Sequence, residues 1–256
     1  MSSAFKTCRS VLVTGANRGL GLQIVDNLVT GDFSPGKIIA TARKPSGAKE
    51  LQNLAVKYPQ IHITPLDVVS QDSIEEAAVA VDQIVKEDGL SCLINNAGIS
   101  VPADFETVTA EKMLENFHTN SVSPLMITKA MLPMLKRAAA GGTGMGIHRA
   151  AVINMSSFLG SMELSWGEPA QKFKWYPYKA SKSALNMVTR CMAVDLEADG
   201  ILCMAIHPGW VRTDMGGLEA PLSKEESITS LLNVIGGLTE KDRGSFLDYT
   251  GEPLPW

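Results

Sequence analysis

The amino-acid sequence predicts an α/β fold: one doubly wound, mainly parallel seven-stranded sheet with helices on both faces. Two regularities predict it. The first is alternation. Short apolar, β-branched runs stand at Ser10 to Thr14, Ile38 to Ala42, Ile61 to Thr64, Cys92 to Asn95, Ala151 to Met155 and Leu202 to His207. Helical patterns separate and follow them, at Leu20 to Val29, Ala48 to Lys57, Ser73 to Glu87, Ala110 to Arg137, Tyr178 to Glu197 and Lys224 to Ile235. Runs apolar along their whole length suit strands covered on both faces, which is the condition of a parallel sheet between two helical layers. Gly244 to Leu247 supplies a last strand. The second regularity is that the first strand enters a glycine-rich turn that opens a helix at once. Open sheets of this kind take ligands at the carboxyl ends of their strands.

A chain of 256 residues suits a single domain, 1–256, with no internal repeat and no linker. Ala138 to Gly146, rich in small residues, reads as a surface loop. No stretch reaches the roughly 20 apolar residues of a membrane span. Met1 to Ser10 carries two positive charges but no apolar core of a secretory signal, so a cytoplasmic address without membrane attachment is expected. A formal charge of -4 argues against a nucleic-acid partner, which needs a concentrated basic face. The four cysteines are scattered singly, so they are expected to be reduced core residues and no metal site is expected.

The glycine turn runs Thr14-Gly15-Ala16-Asn17-Arg18-Gly19-Leu20-Gly21. Glycines there permit a tight turn and a close backbone approach, so the helix N-terminus can face a pyrophosphate, as in Rossmann-type folds. An acidic residue at the end of the second strand would select NAD by accepting from the ribose 2′-hydroxyl. Arg43 and Lys44 stand there instead, with no Asp or Glu between Thr41 and Ala48. Arg18 opposes the macrodipole of the helix it precedes unless an anion lies nearby, and a 2′-phosphate would be that anion. These cations favour NADP(H).

Lys182 follows Tyr178 by four positions, which puts both side chains on one helix face. An ammonium beside a phenol favours the phenolate, so the tyrosine is expected to titrate below its ordinary value near 10. Pro177 suits the opening of that helix. In order along the chain stand the glycine turn, Asn95-Asn96-Ala97-Gly98, Asn120, Ser156-Ser157, the Tyr178/Lys182 pair and Pro208-Gly209. This ordered set resembles the short-chain dehydrogenases/reductases over essentially Ser10 to Leu247. Three stretches suggest the sniffer-like and C-factor-like carbonyl reductases within that family: Tyr176 to Lys182, His207 to Met215, and the ending Gly244 to Trp256.

The resemblance implies reduction of a small-molecule aldehyde or ketone by NADPH, with Tyr178 as general acid. Lys182 would tune it and hold the nicotinamide ribose, Ser157 would hold the substrate oxygen, and Asn120 would anchor a proton-relay water. Cofactor contacts would come from Gly15, Asn17, Arg18, Gly19, Leu20, Gly21, Arg43, Asp67, Val68, the segment Asn95, Asn96, Ala97, Gly98, and Pro208, Gly209, Val211 and Thr213. Asp67 would lie beside the adenine, although capping of the next helix explains an aspartate there equally well. Tyr176 is a decoy, since Ala180 stands four residues later. The chain departs from the family pattern in the 20 residues between Ser157 and Tyr178, which include Trp166, Phe173 and Trp175. Their insertion forms a pocket wall or covers a surface used elsewhere for association, so homo-oligomer formation stays open. Trp210, Met215 and Leu218 suit either an apolar pocket or the core.

Two other functions share these features. One is a catalytically silent protein that binds NADPH as a sensor or scaffold, against which the intact set Asn120, Ser157, Tyr178 and Lys182 speaks. The other is an epimerase or dehydratase acting on a nucleotide-sugar. Pro124 adds a physical expectation: having no N–H, it leaves the carbonyl of Asn120 without its i+4 partner, so the helix should bend near Asn120.

Overall fold

The computed structural model describes residues 4–167, 173 and 175–256. Seven strands form one sheet: β1 (Ser10–Val13), β2 (Lys37–Ala42), β3 (Ile61–Pro65), β4 (Cys92–Asn95), β5 (Ala151–Met155), β6 (Leu202–His207) and β7 (Phe246–Asp248). Their order is β3-β2-β1-β4-β5-β6-β7, and every neighbouring pair is parallel. The direction of winding reverses between β1 and β4, which opens a crevice beyond their carboxyl ends.

Among the described residues seven α-helices cover the sheet: α1 (Gly19–Thr30), α2 (Lys49–Lys57), α3 (Gln71–Val85), α4 (Ala110–Phe117), α5 (Ser123–Ala139), α6 (Tyr176–Asp195) and α7 (Lys224–Gly236). Alternation along the strands divides the core in two. Val11, Val13, Ile38 and Ala40 pack with Ile24, Val25 and Leu28 of α1 and with Ile228, Leu231 and Leu232 of α7. Leu12, Ile39 and Leu93 point the other way, toward Ile74 and Val81 of α3 and Ile127, Met131 and Leu135 of α5. The two-residue period of a strand makes this division unavoidable once both faces are buried. Side chains start three helices: Ser70 accepts from the Ser73 amide at α3, Thr109 from the Lys112 amide at α4, and Ser223 and Glu226 form a reciprocal capping box at α7.

The long helix expected from Ala110 to Arg137 is interrupted. Between α4 and α5 lies a π-helical turn, His118–Val122, in which the Ser123 amide reaches back to the carbonyl of His118. Pro124 has no N–H to donate to Asn120, and the chain widens by one residue just before it. A second proline, Pro133, stands inside α5. Helix α6 begins at Tyr176 rather than Tyr178, with Pro177 in its first turn. The last strand begins at Phe246, because Gly244 turns through the left-handed region at φ 66°. Cys191 is exposed on α6, against the expectation of a core residue, while Cys8, Cys92 and Cys203 are buried. Among the described residues no helix is long and apolar enough to cross a membrane.

Gly21 is where the turn and α1 pack most closely. A Cβ there would lie 2.3 Å from the Gly15 carbonyl oxygen and 2.6 Å from Nδ2 of Asn96. Gly21→Ala is therefore expected to lower the melting temperature by about 4–8 °C, the consequence of roughly 2 kcal/mol of overpacking. A Cβ at Gly47 meets nothing within 4 Å, and Gly47→Ala should leave the melting temperature unchanged in the same scan.

Candidate active site

A cleft of about 1390 Å³ lies beyond the carboxyl ends of the strands. Its first wall is the glycine turn. Gly15 and Gly19 both have positive φ, 65° and 58°, and the space before Gly19 is open, so its backbone faces the cleft uncovered. Thr14 joins this turn to the loop after β4: its Oγ1 accepts from the amides of Asn96 and Ala97, both at 3.0 Å. Nδ2 of Asn96 donates in return to the Thr14 carbonyl at 2.8 Å. The two loops flanking the reversal point are thereby held as one unit.

The structure brings Gly15, Asn17, Arg18, Gly19, Leu20, Gly21, Arg43, Asp67, Val68, Asn96, Ala97 and Gly98 to this end of the cleft. Asn95 is the exception and corrects the expectation. It is buried beneath the cleft and donates to Thr128 and Asn154, because alternation along β4 points it inward. Arg18 also has an anion that the sequence did not reveal: its guanidinium donates to Asp214 at 2.7 Å. Asp67 does not cap α3, a role taken by Ser70. Its carboxylate accepts from the Val69 amide instead.

At the other end stand Ser157, Tyr178 and Lys182. The first turn of α6 carries Tyr178, and Lys182 follows one turn later with its Nζ 5.7 Å from the tyrosine ring centre. Lys182 is buried and donates to the Met155 carbonyl at 2.7 Å. Burial pushes its pKa down to about 8, since the charged form loses its hydration. Burial likewise pushes Tyr178 up to about 12, against the hydrogen bond from Ser157, which acts in the opposite direction. The expected lowering of Tyr178 is therefore not found: desolvation of the phenolate raises it instead.

Asn120 does not line the cleft. Its side chain is buried, accepts from the Ile99 amide at 2.9 Å, and donates to the Ile99 carbonyl at 2.8 Å and Ser181 Oγ at 3.0 Å. Its main-chain carbonyl lacks an i+4 donor, because Pro124 carries no N–H.

The third wall is the loop after β6. Pro208, Gly209, Val211 and Thr213 line the cleft, with Thr213 Oγ1 accepting from the Gly216 amide at 3.0 Å. Trp210 lines it too, its indole N–H bonded to the Gly216 carbonyl at 2.8 Å, and Met215 joins them. Leu218 stays outside the cleft, 91% exposed. From the inserted segment Phe173 and Trp175 enter the wall, edge to face at 5.3 Å, and Phe173 meets Trp210 at 5.6 Å. Trp166 points to solvent. The rest of that segment, 168–172 and 174, lies outside the described residues.

Phe158, Phe117 and His207 were not identified in the sequence as lining the cleft, though all three do. His207 was visible only as part of a stretch, and a strand-end histidine has no spacing signal of its own. Among the described residues no group of three or more His, Cys, Asp or Glu could hold a metal ion.

Comparison with known proteins places these features in context. The short chain dehydrogenase family model matches residues 9–221. The NADPH-bound carbonyl reductase from chicken fatty liver is 43% identical, covering 97% of this chain and 99% of its own, with a TM-score of 0.92. Carbonyl reductase Sniffer of D. melanogaster is 41% identical over 97% of this chain and 99% of its own, with a TM-score of 0.93. C-signal of Myxococcus xanthus is 39% identical over 165 residues, 64% of this chain and 91% of that protein.

His207 generates a stability prediction. Its Nδ1 is buried with no hydrogen-bond partner among the described residues, and its ring lies 5.1 Å from that of Phe158. Burial holds its pKa at about 4, helped by Lys182 and opposed by Asp248. The unfolded chain therefore takes up the proton first as pH falls, and stability is lost progressively between about pH 6.5 and 4. His207→Gln should flatten this part of the stability profile, a difference of up to about 3 kcal/mol, in urea unfolding measured at several pH values.

Proposed function

Because the chain belongs to the short chain dehydrogenase family, we propose that it is an NADPH-dependent carbonyl reductase with Tyr178 as its general acid. The observation that carries this reading is the convergence on one cleft of Ser157, from the segment after β5, with Tyr178 and Lys182 of α6, opposite a glycine turn and the cations Arg18 and Arg43. The turn fits a dinucleotide, because the uncovered backbone at Gly19 and the N-terminus of α1 can meet a pyrophosphate. Arg43 and Arg18 would meet a 2′-phosphate. Lys182 would hold the nicotinamide ribose, and Pro208, Gly209, Val211 and Thr213 would border the nicotinamide. When bound, NADPH supplies the hydride.

The chain's own residues supply the proton and the electrostatics. A tyrosine titrating at about 12 is fully protonated at neutral pH, so Tyr178 stands ready to donate as negative charge grows on the substrate oxygen. Ser157 would hold that oxygen with its hydroxyl. The tyrosinate left behind would be stabilised by the Lys182 ammonium, and the main-chain carbonyl of Asn120 would anchor a water through which a proton returns from solvent. The aromatic wall of Phe158, Phe173, Trp175 and Trp210 carries no formal charge, which favours an uncharged aldehyde or ketone.

Two measurements test the reading. Tyr178→Phe keeps the ring while deleting the proton donor, so NADPH oxidation with the best substrate from a carbonyl panel should fall about 10²–10⁴-fold, while NADPH still binds. Near-normal turnover would exclude Tyr178 as the acid, and cofactor binding with no oxidation by wild-type protein across the panel would favour a sensor. Arg43→Ala should weaken NADPH by about 10- to 100-fold in titration calorimetry and leave NADH almost untouched, the loss expected for a charge-assisted phosphate contact. Equal wild-type affinities for the two cofactors would contradict the preference.

A further inference from the structure

Ser181 stands between Tyr178 and Lys182 on α6, but it is buried and does not line the cleft. Its hydroxyl has two partners. It donates to the Tyr178 carbonyl at 2.8 Å and accepts from Nδ2 of Asn120 at 3.0 Å. The Ser181 carbonyl accepts in turn from Ser121 Oγ at 2.6 Å, so side chain and main chain both tie α6 to the π-helical turn.

The direction of these bonds matters. A hydroxyl has one proton, and Ser181 has given it to the Tyr178 carbonyl, so toward Asn120 it can only accept. It therefore reinforces, from α6, the orientation of the Asn120 amide in which Nδ2 faces that helix. The same orientation leaves Oδ1 to accept from the Ile99 amide and the second Nδ2 hydrogen to meet the Ile99 carbonyl. Every donor and acceptor contact of that amide agrees with one rotamer, and reversing it would put two acceptors, Oδ1 and Ser181 Oγ, face to face.

We infer that Ser181 is a positioning residue: its hydroxyl locks the Asn120 side chain and thereby sets the Asn120 main-chain carbonyl at a fixed place relative to Lys182. The inference rests on the proposed function, specifically on the part of the Asn120 carbonyl in proton supply. Removing the hydroxyl leaves an Asn120 hydrogen unpartnered in a buried site and leaves only the two Ile99 bonds to hold the amide, with no tie from its side chain to α6. Proton return then slows while the cleft itself, which Ser181 does not touch, is unchanged.

The test compares Ser181→Ala with Ser183→Ala by steady-state NADPH oxidation in H₂O and D₂O. Ser183 lies on the same helix and bonds the Gly160 carbonyl at 2.8 Å and the Lys179 carbonyl at 3.1 Å, away from Asn120, so it reports the purely structural cost of losing such a hydroxyl. Ser181→Ala should lower kcat about tenfold, the size of one neutral buried hydrogen bond, with both KM values within about twofold and a larger solvent isotope effect. Ser183→Ala should keep the wild-type isotope effect. Ser181→Cys, close in size but a weak donor and acceptor, should show the same kinetic change and serves if the alanine variant does not fold. Pro124→Ala separates the inference from the reading beneath it, since it returns an amide donor to the Asn120 carbonyl. If Pro124→Ala slows turnover while Ser181→Ala and Ser181→Cys match wild type in kcat and isotope effect, the role of Ser181 is overturned and the relay stands. If none of the three changes turnover, the relay itself is wrong and the inference falls with it.

Discussion

A buried ammonium ion constrains everything around it in this cleft. Lys182 is only 5% exposed, and its hydrogen bond is to a carbonyl, Met155, rather than to a carboxylate. Removing a charge from water is costly unless polar groups replace the hydration, and the fall of its pKa to about 8 measures what remains uncompensated. The neighbours make room for it. A Cβ at Gly160 would come within 2.8 Å of the Lys182 backbone and Cβ, so only glycine lets α6 approach the end of β5 this closely. A Cβ at Gly98, on the far side, would lie 3.1 Å from Asn120 Oδ1 and 3.8 Å from Lys182 Nζ. The two glycines, distant in sequence, leave a slot for one lysine.

The helix that carries this lysine is held to the sheet by buried polar bonds as well as by apolar packing. Asn154 donates to Thr189 at 2.8 Å and Ser156 to Asn186 at 2.6 Å, which joins β5 and the segment after it to α6. Asn95 donates to Asn154 at 2.9 Å and to Thr128 at 3.3 Å, which extends the chain of bonds to β4 and α5. Apolar contacts tolerate sliding; a network of buried amide and hydroxyl donors does not, because any slip leaves a donor without water or partner. Asn95 thus serves the cleft from below, by fixing the elements that carry Ser157 and Tyr178.

Burial moves the two titrating groups of the site in opposite directions from their charged forms, raising the tyrosine and lowering the lysine. The result is a protonated phenol beside a cation of lowered pKa, the arrangement on which the proposed proton donation to a developing alkoxide rests. Across the cleft mouth the exposed pair Arg18 and Asp214 has another character. Water screens it, so it contributes little to stability, and Arg18 remains available to a stronger anion such as a phosphate.

The sequence alone determined the layered α/β architecture, because continuous apolar strands alternating with amphipathic helices can bury their faces in few other ways. It also determined the cleft's contents at the positions where spacing is chemistry: the glycines of the turn, and Tyr178 with Lys182 one helical turn apart. Tertiary structure decided what depends on distant neighbours. Asn95 turned inward, and the pKa of Tyr178 rose because desolvation is a property of the surrounding packing and not of the residue's sequence partners. The anion facing Arg18 came from the loop after β6, 196 residues away, and the aromatic wall assembled from three separate segments. Pro124 lies between these cases. Its missing amide is readable from one letter of sequence, but whether the helix answers by bending, by ending or by a π-helical turn is settled by what packs around Asn120, here Ile99 and Ser181.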